Sequence, residues 1–348
     1  MAGPGRDRSR GIFSLTIWRV VSFAAAAAVA LAAALGFDCE GAHACVGARP
    51  LAMGGAFIAV ADDASAVYWN PAGLARLGER QLALTSTLNN RNVFNYDDFV
   101  AYVQPGSRPG TGAGFGFVTE HVGSPEGAGA SDGTGAAAGT IARVGAGADR
   151  ETVYRGSTWL VCSVARSVFR DLAVGANLRH ETHARRLPGA ELVLGSRWGM
   201  DLALLYRASP AISLGLLLQD SGLSPIRWED GREEAVRVNV RPGLAYRPDP
   251  RTIIAVDLYD LGALATGPPP GAGNGAFAVR AGVERRVLEH LAARLGYYGI
   301  GPGVGAITCG AGWSGDEWQV DYVYLGAATT PGHPGLGGTH QMGVTFKF

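Results

Sequence analysis

From about Gln81 to the C-terminus, apolar and polar residues alternate with period two, the pattern of strands that bury one face. In WGMDLALLY, Trp198, Met200, Leu202, Leu204 and Tyr206 share one face, Gly199, Asp201 and Ala203 the other, and Leu205 is the one misfit. VRVNVRPGLAYR sets Val236, Val238, Val240, Pro242, Leu244 and Tyr246 against Arg237, Asn239, Arg241, Gly243, Ala245 and Arg247. LAVGANLR sets Leu172, Val174, Ala176 and Leu178 against Ala173, Gly175, Asn177 and Arg179. FAVRAGVE and LAARLGY likewise turn Arg280, Glu284 and Arg294 away from their apolar neighbours. Such runs predict strands near 81–88, 97–104, 112–120, 153–166, 171–181, 196–207, 211–219, 235–247, 251–259, 275–284, 290–298, 303–313, 316–325 and 339–348, about fourteen in all.

Alternation fits a soluble sandwich or barrel with its apolar face inside, and equally a membrane barrel with that face against lipid. Loop length separates the two. The connectors at 168–171, 207–211, 247–251 and 313–318 are short. Those at 121–151, 183–195, 221–234, 261–275 and 327–338 are long, and only GIGPG (299–303) breaks the order. Sorting of loops by strand parity is a property of outer-membrane barrels, with tight periplasmic turns and longer external loops. The chain ends THQMGVTFKF, whose terminal strand with Phe346 and Phe348 resembles the signal read by barrel assembly machinery. Trp159, Trp198, Tyr206, Tyr246, Tyr259, Trp318, Tyr322 and Tyr324 lie near strand ends or on apolar faces, as interfacial girdles require. The expectation is an all-β, transmembrane antiparallel barrel of about 14 strands spanning 80–348, in the bacterial outer membrane.

The first residues read differently. Arginines at 6, 8, 10 and 19 precede VVSFAAAAAVALAAALGF, a basic region before an apolar one, which is the secretory pattern. We assign 1–44 to a signal peptide cleaved after Ala34 or Ala44, the alternative being an uncleaved anchor helix. Cys39 and Cys45 lie in or beside that region; Cys162 and Cys309 read as free thiols in separate strands. Residues 45–79 contain LAMGGAFIAVADDASAVYWNPAGLARL, two or three very short helices too small to stand alone. Asn70 caps a helix that Pro71 begins, Asp62 or Asp63 caps ASAVYW, and Gly54 and Gly55 permit a tight bend. Such a segment needs a container, and the lumen of a large barrel supplies one.

This arrangement resembles the FadL family of outer-membrane transporters of long-chain fatty acids and other hydrophobic compounds, and its PorV-like branch. The resemblance rests on GGAFIAVADDASAVYWNPAGLA after a signal peptide, together with THQMGVTFKF. It implies that Asn70, Pro71 and Ala72 form a hatch, with Gly54, Gly55, Asp62 and Asp63 in the same gating segment. It also implies that a hydrophobic small molecule enters from the external loops and leaves sideways beside the third strand. That strand reads GTGAGFGFVTEHVGSP; Gly110, Gly112, Gly114 and Gly116 permit a kink for lateral opening, or close packing of the plug, and both readings stay open. The PorV-like branch implies instead a secretion or shuttle component that binds partner proteins, and a structural or adhesive barrel is a third reading.

Charge and chemistry narrow the rest. With 30 basic and 30 acidic residues and no basic block, nucleic acid is not an expected partner. There is no P-loop and no Cys/His metal spacing, so neither an enzyme nor a cofactor is expected. His180 and His183 fall on opposite strand faces and read as a loop pair. Arg179, Arg237, Arg241, Arg280 and Arg294 share the inward side with Asp201, Asp257, Glu284 and Asp321, as solvated ion pairs lining the lumen, with a carboxylate ligand as the other use of the arginines. The expected partners are outer-membrane lipids, the assembly machinery and a hydrophobic ligand.

Overall fold

The computed structural model describes residues 46–89, 96–123, 154–186, 190–262, 277–301, 304–328 and 339–348. The proposed signal peptide and much of the long-loop sequence lie outside them. Seven strands, β1 (Gln81–Asn89), β2 (Tyr96–Pro105), β3 (Thr111–Gly123), β4 (Tyr154–Ser167), β5 (Leu172–Arg186), β6 (Val193–Arg207) and β7 (Ile212–Leu223), form the first half of the wall. A small hairpin of β8 (Ile226–Trp228) and β9 (Glu233–Glu234) then folds over β6. The wall resumes with β10 (Asn239–Asp249), β11 (Thr252–Tyr259), β12 (Ala278–Arg286), β13 (Leu291–Gly301), β14 (Val304–Ser314), β15 (Trp318–Ala328) and β16 (Thr339–Lys347). Every wall strand pairs antiparallel with its neighbours, and β1 pairs with β16 from Gln81↔Lys347 to Asn89↔His340. The sheet closes on itself as a 14-stranded barrel, which leaves no unpaired edge.

Orientation follows the alternation. Leu178, Trp198, Leu202, Leu204, Leu244, Leu295 and Phe346 point outward and are exposed, whereas Ala173, Arg179, Asp201, Ala203 and Asp257 point in and are buried. An apolar exterior round a closed barrel is the lipid-facing arrangement. Within the barrel lie α1 (Ala48–Ala52), α2 (Ala66–Trp69) and a 3-10 helix, η1 (Pro71–Arg76). α2 and η1 share a core with Phe99, Val103, Val118, Val161, Leu205 and Leu217 of the wall, and α1 packs in a second cluster with Tyr298, Val323 and Leu325. Leu205, the misfit of its strand, points inward because the plug gives it an apolar partner there.

Several expectations are corrected. Trp159 and Tyr259 are not girdle residues: Trp159 stacks on Tyr68 of the plug, and Tyr259 receives the guanidinium groups of Arg241 and Arg280. Both stand on the inward parity of their strands. Strands β5 and β6 run longer than predicted, and β10 begins at Asn239 rather than 235. The 221–234 connector contains the β8–β9 hairpin, where Trp228 packs under Arg185 at 4.0 Å. Between Met200 and Leu202 the β6–β7 register shifts, and Asp220, opposite the shift, adopts φ 61°.

Candidate functional site

A buried backbone needs a partner for each N–H and C=O, and three short helices supply few. The wall supplies the remainder with inward side chains. Asp257 Oδ2 accepts the N–H groups of Phe57 and Ile58 at 2.6 and 2.8 Å. Thr308 Oγ1 accepts from Gly54 N at 3.2 Å and donates to Ala52 O at 3.3 Å. Gln81 Oε1 accepts Ala64 N–H, and Asn177 Nδ2 donates to Val67 O at 3.0 Å. Arg76 donates to the carbonyls of Asp171 and Leu205.

Asn70 is the centre of this arrangement. Its Oδ1 accepts Ala72 N–H at 3.1 Å, capping the turn that Pro71 begins. Its Nδ2 donates to Ile58 O at 2.7 Å within the plug and to Leu204 O at 3.0 Å in the wall. One fully buried amide thus ties two plug segments to β6. Asp63 Oδ1 accepts from Ser65 N at 2.9 Å as an Asx turn rather than capping α2 directly.

The wall meets the plug through glycines. A Cβ at Gly175 would lie 2.3 Å from Ala72 N, at Gly282 2.2 Å from Met53 O, at Gly296 2.1 Å from Gly54 N, and at Gly215 2.4 Å from Ile58 O. No side chain fits at these points, so the backbones of plug and barrel are in direct contact. Gly54 and Gly55 have φ of 65° and 71°, the left-handed turn their sequence predicts. Gly112, Gly114 and Gly116 face Leu74 and Val67 of the plug, which is the close-packing use of those glycines. Strand β3 pairs with β2 and β4 residue for residue through this stretch.

Charges frame the plug on three sides. Arg49 bridges Asp62 and Asp63 at 2.6 Å to Glu284 of β12 at 2.8 Å. Burial opposes its charge, but Asp62, Glu284 and Asp63 outweigh that and hold the guanidinium firmly protonated. Arg294 continues the chain to Glu284 at 2.6 Å and Asp321 at 2.7 Å. A second network joins Arg179 to Glu181 at 2.6 Å and to Asp201 at 3.0 Å, and Asp220 accepts from both Arg179 and Arg197. Among the described residues Arg241 and Arg280 make no ion pair; their guanidinium groups lie over Tyr259 at 3.9 and 4.3 Å, and Arg280 also over Tyr298 at 4.2 Å. Arg237 sits at the rim with Asp260 at 2.6 Å. Burial raises the Tyr68 phenol well above its usual range, against the opposing charge of Arg241. Apart from Arg237, these inward charges are largely buried rather than solvated as expected, because the plug fills the space that water was to occupy.

Sequence reasoning missed Gln81, Asn177, Thr308, Arg49 and the seat at Gly175. Their inward parity was visible for Asn177 and Gly175, but nothing local says which inward residue meets the plug.

No family model matches the sequence, and no curated protein matches it. Solved structures do. The toluene transporter TbuX of Ralstonia pickettii is 15% identical, with 90% of this chain and 100% of that chain covered and a TM-score of 0.60. The monoaromatic hydrocarbon channel CymD is 14% identical, covering 87% and 97%, with a TM-score of 0.59. A Pseudomonas aeruginosa FadL homologue is 12% identical, covering 85% and 96%, with a TM-score of 0.52. The chain has the FadL-type fold. This FadL-type barrel is a bacterial outer-membrane protein, and its terminal strand, with Phe346 outward and Phe348 at the mouth, closes the ring against β1.

Proposed function

We propose that this barrel is a passive uptake channel for hydrophobic small molecules, with residues 46–79 as its hatch. The supporting observation is a lumen occupied by the chain's own N-terminal segment in the fold of proteins described as toluene and monoaromatic hydrocarbon channels. An apolar solute crossing the outer membrane needs a path that bypasses the polar surface layer but does not admit water. Val67, Tyr68 and Trp69 of the plug, facing Phe99, Val118, Val161 and Trp159, offer such a solute an apolar contact. Asn70 is the latch in this reading. Losing its amide frees Leu204 O and Ile58 O together, so the Asn70–Ala72 turn leaves the wall in one step. Sideways exit beside β3 requires Leu74 and Val67 to withdraw from Gly112, Gly114 and Gly116.

The experiment is uptake of labelled toluene and of a labelled fatty acid into liposomes that carry the purified barrel. Saturable uptake by the native protein, accelerated in Asn70→Ala, is the expected result. Equal uptake by native barrels and by barrels whose plug is cross-linked to the wall would refute the hatch. No uptake of either compound would refute the channel.

A further inference from the structure

The outer wall of β4–β7 carries a cavity of about 510 Å³. That volume is in the range of small-molecule sites, roughly 300–1,000 Å³. Two outward rows build it across the sheet. One runs Val164↔Ala176↔Leu202↔Leu218, and the next, nearer the short turns, Arg166↔Val174↔Leu204↔Leu216. Ala176 is the reason for the hollow: it is the small outward residue between Val164 and Leu202, with Gly175 beside it. The lining is apolar apart from Arg166, which is exposed and has no carboxylate partner among the described residues.

Depth fixes what fits. Arg166 is one residue from the end of β4, on the periplasmic side by loop length, so its guanidinium lies at the level of lipid headgroups. Ala176 and Leu218 lie further toward the hydrocarbon core. Just below, the β4–β5 turn presents Val168 and Phe169, 49% and 69% exposed, followed by Arg170. Apolar side chains and arginines at one level are the pattern of an interfacial anchor.

We propose that this cavity is a specific binding site for a glycerophospholipid of the periplasmic leaflet. One acyl chain lies over Ala176 between Val164 and Leu204, and the phosphate is held by Arg166. A free hydrocarbon would use the apolar rows but leave the arginine without a partner; a phospholipid matches both. The site lies directly behind the hatch seat, because Gly175 meets Ala72 on the inner face and lines the cavity on the outer one. The inference does not depend on transport.

The test is native mass spectrometry of the full barrel from mild detergent, titrated with phosphatidylglycerol and with diacylglycerol of the same chains. One phosphatidylglycerol should survive activation that strips all other lipid, and diacylglycerol should bind about tenfold more weakly, as loss of a charge-assisted hydrogen bond implies. Ala176→Trp, which fills the hollow, should abolish retention, and Arg166→Gln should reduce phosphatidylglycerol to the diacylglycerol level. Heat-modifiable gel migration establishes that both variants are folded. Equal binding of the two lipids, unchanged retention in Ala176→Trp, or gradual loss of many equivalent lipids would overturn the proposal. Displacement of the bound phospholipid by toluene would assign the cavity to cargo and overturn it as well.

Discussion

Gly175→Ala adds one methyl group where the wall touches the Asn70–Ala72 turn of the plug. The new Cβ would sit 2.3 Å from Ala72 N and 2.5 Å from Pro71 C, whereas ordinary contact begins at 3.4 Å. Both obstacles are backbone, so no rotamer change relieves them and the turn must retreat by about 1 Å. The Asn70 Nδ2 to Leu204 O bond, now 3.0 Å, would then exceed hydrogen-bonding distance. Overpacking costs about 1–3 kcal/mol and a lost hydrogen bond about 0.5–1.5 kcal/mol. The sum, about 1.5–4.5 kcal/mol against the seated turn, corresponds to a roughly 12- to 1,600-fold rise in the unseated population. Strand pairing should be untouched, because alanine suits an extended backbone better than glycine does. Single-channel recording in planar bilayers reads the open fraction, and proteolysis of the plug reads its release. Gly222→Ala is the control, since its nearest neighbour is a flexible Met200 terminus at 3.8 Å. If Gly175→Ala matched the control in both assays, direct backbone contact would not be what holds this plug turn.

Other outcomes follow from the same contacts. Asp257→Ala removes the acceptor of two buried N–H groups and should weaken plug seating by about 3–6 kcal/mol, seen as protease sensitivity at 57–58; Asp257→Asn, which keeps a carbonyl oxygen, should lose much less. Leu295→Arg places a charge on the lipid face near mid-strand and should cost about 2–4 kcal/mol in urea titrations of the folded barrel. Arg49→Met strands Glu284 without its bridge to the plug, and should raise plug protease sensitivity more than the exposed-pair variant Arg227→Met does. Trp159→Ala removes the ring stacked on Tyr68 and beneath Arg179, and should slow hydrocarbon uptake in liposomes while leaving barrel melting nearly unchanged.

The wall was legible in the sequence because side-chain direction in a strand is local. A period of two assigns each residue a face, and Arg179, Asp201, Arg241 and Asp257 are where that rule puts them. Asn70 and Pro71 were legible for a similar reason, since a cap and the turn it starts are neighbours in the chain. What lies opposite an inward residue was not legible. Asp257 meets Phe57 across 200 residues, and Gly175 meets Ala72 because of where the plug rests in the lumen. Trp159 and Tyr259 show the cost: proximity to a strand end suggested lipid, whereas parity and the plug put both inside. The charges expected in water are mostly buried for the same reason. Alternation fixes which way a side chain points, and only the closed ring with residues 46–79 inside decides whether it finds water, lipid or another part of the chain.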